Sequence, residues 1–264
     1  MDTSAILDET LELTEADHGT SEIVSFEGVQ CPRAPLPLII KIEVTEEAVQ
    51  DAALRFRGRR VTMLNFASGV MPGGGVRYGS MAQEEALCLS TGLLHGLEGL
   101  PEFYERNRKE GAPPESYDSM IWSEGVPLVR DGSFELVEPM SVNVITYPAP
   151  NSTKRVYLGS GRFGDEDVSP DVRSAIFERR CRHVLAQAER TGTEVLVLGA
   201  WGCGVYGNDP SMVAGWFYKA ILEGSGSIST VVFAIYGNIA NQMAFETVFT
   251  VCNPKGLTRL EILR

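Results

Sequence analysis

The chain is short of the residues that build metal sites and disulfide frameworks. It has only three histidines (His18, His95 and His183) and five scattered cysteines (Cys31, Cys88, Cys181, Cys203 and Cys252). The cysteine count is odd, no Cys-x-x-Cys occurs and no histidine stands near a cysteine pair. This argues against a disulfide scaffold and a structural zinc site and predicts reduced, partly buried thiols. No apolar run is long enough to span a membrane. The acidic start MDTSAILDETLELTEADHG lacks the basic and apolar regions of a signal peptide. The expectation is an intracellular protein, cytoplasmic or nuclear, with no membrane partner. Basic residues are the minority charge, 23 Lys and Arg against 35 Asp and Glu, for a net charge of -12. A broad footprint on nucleic acid needs concentrated Lys and Arg, so none is expected. An anionic ligand would be held by local backbone N–H groups, not by the overall field.

What is present suits one globular domain. The 264 residues are 44% hydrophobic, enough for a sizeable core, and show no internal repeat, low-complexity tract or long linker. LPLIIKIEV (36–44) and VTMLNFA (61–67) read as strands, with a helix over 45–58 that starts at Thr45 and stops at Gly58. Helical spacing returns over 81–94. VPLVRDGSFEL (126–136) reads as a hairpin turning at Asp131-Gly132, and SVNVITYPAP (141–150) as a further strand ended by two prolines. Ser169-Pro170 opens a long helix over about 170–190. Strand 194–200, helix 209–222, strand 230–237 and helix 238–249 follow. This alternation predicts a mostly parallel or mixed α/β sheet covered on both faces.

Two glycine-rich loops each follow a buried strand and run into a helix. In PGGGVRYGSMAQEE (72–85) the glycines let a ligand approach the backbone, and Gln83, Glu84 and Glu85 fall in the first helical turn. A helix N-terminus keeps carboxylates ionised, so an acid working there needs a desolvated pocket. Spacing alone equally allows a flexible turn followed by ordinary first-turn glutamates. The second loop, GAWGCGVYGND (199–209), offers backbone N–H groups near a helix start, which suits a phosphate or diphosphate. It lacks the Gly-Lys-Ser/Thr ending of a Walker A loop and the ribose-binding acid of a dinucleotide fingerprint. The two loops strengthen each other, because ligand sites of α/β proteins form at the carboxyl ends of strands. No G-x-S-x-G occurs, and no histidine lies in either loop to activate Ser68, Ser80 or Cys203. Cys203 therefore reads as a small residue beneath a ligand, and RVYLGSGRFGDEDV (155–168) as a solvated surface loop.

With these motifs assembled, NFASGVMPGGG, AQEEALCLSTGLL, YPAPN (147–151) and LVLGAWGCGVYGND resemble the microbial-type (bacterial-like) poly(ADP-ribose) glycohydrolase family. The resemblance runs over nearly the whole chain, from DETLEL (8–13) to the last strand and helix. It implies a macrodomain-like three-layer α/β/α sandwich with a mixed central sheet and an N-terminal helical and loop extension. The whole of 1–264 would be one domain, with 1–35 packed on it as that extension. It also implies hydrolysis of the ribose–ribose bonds of poly(ADP-ribose), mainly from chain ends, releasing ADP-ribose without a cofactor. By position, Glu85 is the catalytic acid and Glu84 orients the terminal ribose. Gly73, Gly74 and Gly75 bring backbone against the ribose and diphosphate, Val76 and Gln83 are further ligand-binding positions, and Asn65 contacts ribose hydroxyls. Gly202, Cys203, Gly204, Val205, Tyr206 and Gly207 hold the diphosphate. Tyr206 packs on the distal ribose, and its hydroxyl needs a partner because the family often has Phe there.

Adjacent glutamates on a helix point about 100° apart, so they are badly placed to flank one glycosidic bond from opposite faces. One working carboxyl is expected, with Glu85 as acid and then base. No acidic cluster with ligand spacing surrounds the loops, so no metal requirement is expected. The implied partners are poly(ADP-ribose), ADP-ribose and ADP-ribosylated proteins, without sequence-specific nucleic acid binding. The competing readings are a non-catalytic ADP-ribose reader, which has no need of the second glutamate, and a hydrolase of protein-linked mono-ADP-ribose. A phosphate-sugar enzyme of unrelated chemistry is the remaining alternative.

Overall fold

The computed structural model describes residues 2–26, 40–108, 118–153, 155–157, 163–165, 169–224, 226–252 and 260–263. The strands are β1 (Thr20–Ser25), β2 (Ile40–Thr45), β3 (Val61–Phe66), β4 (Ser119–Arg130), β5 (Leu136–Tyr147), β6 (Arg155–Tyr157), β7 (Phe163–Asp165), β8 (Val195–Leu198), β9 (Thr230–Ala234) and β10 (Leu260–Leu263). The helices are α1 (Thr3–Thr14), α2 (Val49–Leu54), α3 (Gln83–Ser90), α4 (Leu93–Glu98), α5 (Pro101–Asn107), α6 (Pro170–Arg190), α7 (Pro210–Leu222) and α8 (Ile239–Cys252), with a 3-10 turn at Val76–Tyr78.

Eight strands form one mixed sheet in the order β1-β4-β5-β3-β8-β9-β2-β10. The six from β5 to β10 run parallel, while β4 is antiparallel to both β1 and β5. The apolar runs of the central strands are unbroken because both faces are covered. Leu64, Leu196, Leu198, Val231 and Phe233 pack on one side among residues of α6, α7 and α8. Met63, Val195, Val197 and Val232 pack on the other among residues of α1 to α5. Period-two alternation thus divides each strand between two cores and produces the expected three layers. Because β2, β3, β5, β8 and β9 are parallel, their carboxyl ends share one edge of the sheet.

Long-range pairing moved several local boundaries. Thr45 is the last residue of β2, paired with Ala234, and does not cap a helix; α2 begins at Val49 behind Ala48. The helix expected over 81–94 is two, broken where Thr91 turns extended and bridges to Leu128 and the Gly92 N–H bonds to the Pro127 carbonyl. The hairpin and the strand expected at 126–136 and 141–150 are one long pair, β4 and β5. Their loop is five residues, not two, because the Asp131 carboxylate accepts the N–H groups of Ser133 (2.9 Å) and Glu135 (3.0 Å).

Of the expected extension, α1 packs on α3, and Thr20–Ser25 is an edge strand of the main sheet. Residues 27–35, with Cys31, lie outside the described residues, as do 36–39 of the second strand. In 155–168 the described parts are β6 and β7, an antiparallel pair; the rest lies outside. Cys88 and Cys181 are buried free thiols. Among the described residues no helix is long and apolar enough to cross a membrane.

Candidate active site

Glu84 and Glu85 open α3, whose N-cap residue Ala82 has no side-chain acceptor. Glu85 fills that gap by reaching back one turn. Its Oε2 accepts the Ala82 N–H (3.1 Å) and its Oε1 the Gly75 N–H (2.8 Å). Glu84 is 4% exposed and is held from the strand side. Its Oε2 accepts the Ser68 N–H at 2.6 Å and its Oε1 faces Asn65 Nδ2 at 3.3 Å. Burial first, and then the neighbouring Glu85 charge, raise the Glu84 carboxyl to about 8 against the pull of these donors. Glu84 is therefore uncharged at neutral pH. Asn65 is fully buried and also meets Thr146 Oγ1 at 3.2 Å, while its own Oδ1 is unpartnered.

Gln83 has both halves of its amide committed. Its Oε1 accepts the Phe66 N–H (2.8 Å) and its Nε2 donates to the Leu64 carbonyl (2.9 Å). It clasps the backbone on either side of Asn65 and so sets α3 against β3, a clamp where a ligand contact was expected.

The three glycines serve two different ends. A Cβ on Gly73 would meet Leu94 Cδ1 at 2.7 Å, and one on Gly75 would collide with Ser80 Oγ. These two let the loop pack on the protein itself. A Cβ on Gly74 would lie 2.5 Å from Glu85 Oε1 and 2.9 Å from Glu84 Oε2. The helical offset therefore does not keep the carboxyls apart, since an oxygen of each converges on this one point. Gly74 also needs its positive φ of 58°. Val76 buries its side chain in the core and gives its N–H to the Gly73 carbonyl. Gly74→Ala is expected to displace both carboxyls and lower kcat on polymer about a hundredfold. Steady-state assay of the folded variant, verified by its circular dichroism, checks this.

The second loop follows β8 and ends at Asp209, which caps α7. A Cβ on Gly204 would meet nothing within 4 Å. Among the described residues, the N–H groups of Gly204, Val205 and Tyr206 have no partner in the chain, while those of Cys203 and Gly207 are spent on the Ala200 and Gly204 carbonyls. Val205 is 86% exposed. A Cβ on Gly202 would meet Ala149 Cβ and Asn208 Nδ2, both at 2.7 Å, so Gly202 serves packing. Burial, then the Asp209 charge, raise the Cys203 thiol to about 12, leaving it protonated.

Residues that sequence reading passed over lock this loop in place. Proline lacks an N–H and ends the β5 ladder at Pro148-Ala149-Pro150, so the carbonyls there take side-chain donors. Trp201 Nε1 serves the Tyr147 carbonyl (3.1 Å), Arg180 Nη1 that of Pro148 (2.9 Å) and Asn208 Nδ2 that of Pro150 (2.8 Å). Arg180 is buried on the apolar side of α6 next to Phe177 and Cys181, and a charge at a core position was its signal in the sequence. The Ser152 N–H returns to the Tyr206 carbonyl at 2.8 Å. Tyr206 is half-buried, and its hydroxyl lies by the Gly69 N–H and within electrostatic reach of Glu84. Burial chiefly raises that phenol to about 12. The hydroxyl thus turns toward the first loop, and both carboxyls lie within electrostatic reach of the second. Beyond the second loop, Tyr236 follows β9 with its ring 76% exposed.

A family model described as the microbial-type PARG catalytic domain matches residues 14–131. No curated protein matches the chain by sequence. Among solved structures, poly(ADP-ribose) glycohydrolase from Thermomonospora curvata is 34% identical, with a TM-score of 0.79 over 94% of this chain and 99% of that one. The T. curvata enzyme bound to the inhibitor ADP-HPD aligns at the same identity, with a TM-score of 0.76 over 93% of this chain and 98% of that one. Poly(ADP-ribose) glycohydrolase from Deinococcus radiodurans in complex with ADP-ribose is 31% identical, with a TM-score of 0.72 over 92% of this chain and 97% of that one. At this identity, sustained over nearly the full length of each chain, the protein belongs to the microbial-type poly(ADP-ribose) glycohydrolase family.

Proposed function

We propose that this chain, a poly(ADP-ribose) glycohydrolase by family, removes ADP-ribose from polymer ends with Glu85 as its one working carboxyl. The terminal diphosphate docks on the partnerless N–H groups of Gly204, Val205 and Tyr206. That placement lays the terminal ribose against Tyr206, Asn65 and the Gly74 backbone. The adenine then falls toward β9, where Tyr236 offers its exposed ring.

Glu84, uncharged and gripped from behind, serves as a neutral hydrogen-bonding group for the ribose hydroxyls. In the substrate complex, where binding excludes water and brings the negative diphosphate into the cleft, Glu85 carries a proton and donates it to the departing ribose oxygen as the anomeric C–O bond breaks. The resulting oxocarbenium ion is stabilised by the substrate's own diphosphate. The Glu85 carboxylate then takes a proton from water as that water adds to the anomeric carbon, which releases ADP-ribose and restores the acid. ADP-ribosylated proteins enter as carriers of such polymer. The observation that carries this reading is the convergence of both carboxyls on Gly74, facing a loop of unused N–H groups.

Incubation with labelled poly(ADP-ribose) tests it. Free ADP-ribose should accumulate with EDTA present as without it. Polymer left intact would indicate a reader, and release confined to mono-modified protein would indicate a mono-ADP-ribose hydrolase.

A further inference from the structure

A polymer-cleaving enzyme must also meet the unit beyond the scissile bond. The net charge of -12 gives it no general attraction for a polyanion. Arg77, the cation nearest the glycines in the chain, is already held by Glu98 through two bonds of 2.6 and 2.8 Å. Next to it stands Tyr78, the most exposed aromatic residue described, at 82%. Its backbone is rigidly placed. The Tyr78 and Ser80 N–H groups both bond to the Gly75 carbonyl (2.9 and 3.1 Å), and the Gly75 N–H holds Glu85. Met81 and Met71, also exposed, flank the same loop.

We propose that Tyr78, flanked by Met71 and Met81, forms an outer stacking platform for the adenine of the polymer unit on the leaving side of the scissile bond. The order of sites along the sheet edge supports this occupant. Tyr236 lies after β9, past the diphosphate loop after β8, and so serves the terminal unit. Tyr78 lies in the loop after β3, two strands from β9 with the diphosphate loop between them, one peptide turn from the residue that holds Glu85. Its exposed ring suits a base, an uncharged part of the leaving unit that an acidic protein binds without repulsion. Removing the ring from such a platform weakens binding about tenfold or more.

This platform rests on the reading of the chain as a polymer hydrolase, and the experiment separates the two. Wild type, Tyr78→Ala and Tyr78→Phe are assayed on poly(ADP-ribose), and their affinity for ADP-ribose, which has no outer unit, is measured by calorimetry. The Ala variant should raise KM for polymer about tenfold with kcat and ADP-ribose affinity unchanged, and the Phe variant should match wild type. An unchanged KM in the Ala variant, or a parallel loss of ADP-ribose affinity, overturns the platform. A wild-type protein that leaves polymer intact overturns the hydrolase reading instead.

Discussion

Glu85→Gln is expected to slow release of ADP-ribose from polymer by roughly three orders of magnitude, the scale of general acid–base assistance, while ADP-ribose still binds. The amide has no proton to give the departing oxygen and no basic oxygen to activate water. Both Glu85 oxygens accept backbone N–H groups, from Gly75 and Ala82. The amide can satisfy only one of them, which costs about 1 kcal/mol and leaves the fold intact. Binding survives because the diphosphate is held by the second loop, which Glu85 does not touch. Polymer turnover measured beside ADP-ribose calorimetry decides the matter, and near-normal turnover would remove Glu85 from its role.

Glu84→Gln should stabilise the protein at neutral and alkaline pH. The Glu84 carboxyl titrates near 8 when folded, against 4.5 for an ordinary glutamate. Below about pH 4.5 it is protonated in folded and unfolded chains alike, and no stability depends on it. Between those values the unfolded chain has lost the proton and the folded one keeps it. Stability therefore falls with rising pH through this window and levels off above 8. At pH 7 the cost is on the order of 3 kcal/mol, and glutamine removes it. Asn65 can turn its unpartnered Oδ1 toward the new amide, so the substitution leaves no buried donor facing another. Thermal unfolding at pH 4, 7 and 9 should show the variant equal to wild type at the first and more stable at the other two. A wild type as stable as the variant at pH 9 would show that Glu84 ionises normally. The destabilised carboxyl is a cost that the fold carries for its site.

The two loops were legible because each is local: glycines, a buried strand before them and a helix after. The long helix α6 was legible for the same reason, with Ser169 accepting the Val172 N–H and Pro170 in its first turn. Thr45 was misread because a β-branched polar residue suits both a helix cap and a strand end, and only the ladder to Ala234 chooses. Chain proximity to the glycines singles out Gln83 and Val76 but does not reveal that the Gln83 amide clasps strand backbone or that the Val76 side chain faces the core. Asn208, Arg180 and Trp201 escaped notice because their acceptors are carbonyls 32 to 58 residues away.

The amino-acid sequence by itself determined the alternation of strands and helices, the two glycine loops at strand ends, the carboxyl pair and the family resemblance. All of these are written in residue type and spacing over a few neighbours. Only the tertiary structure decided that Thr20–Ser25 joins the sheet, that Glu84 is the carboxyl kept neutral, and that Glu84 and Glu85 converge above Gly74. Burial and hydrogen bonding between distant segments set these features, and no local pattern encodes them.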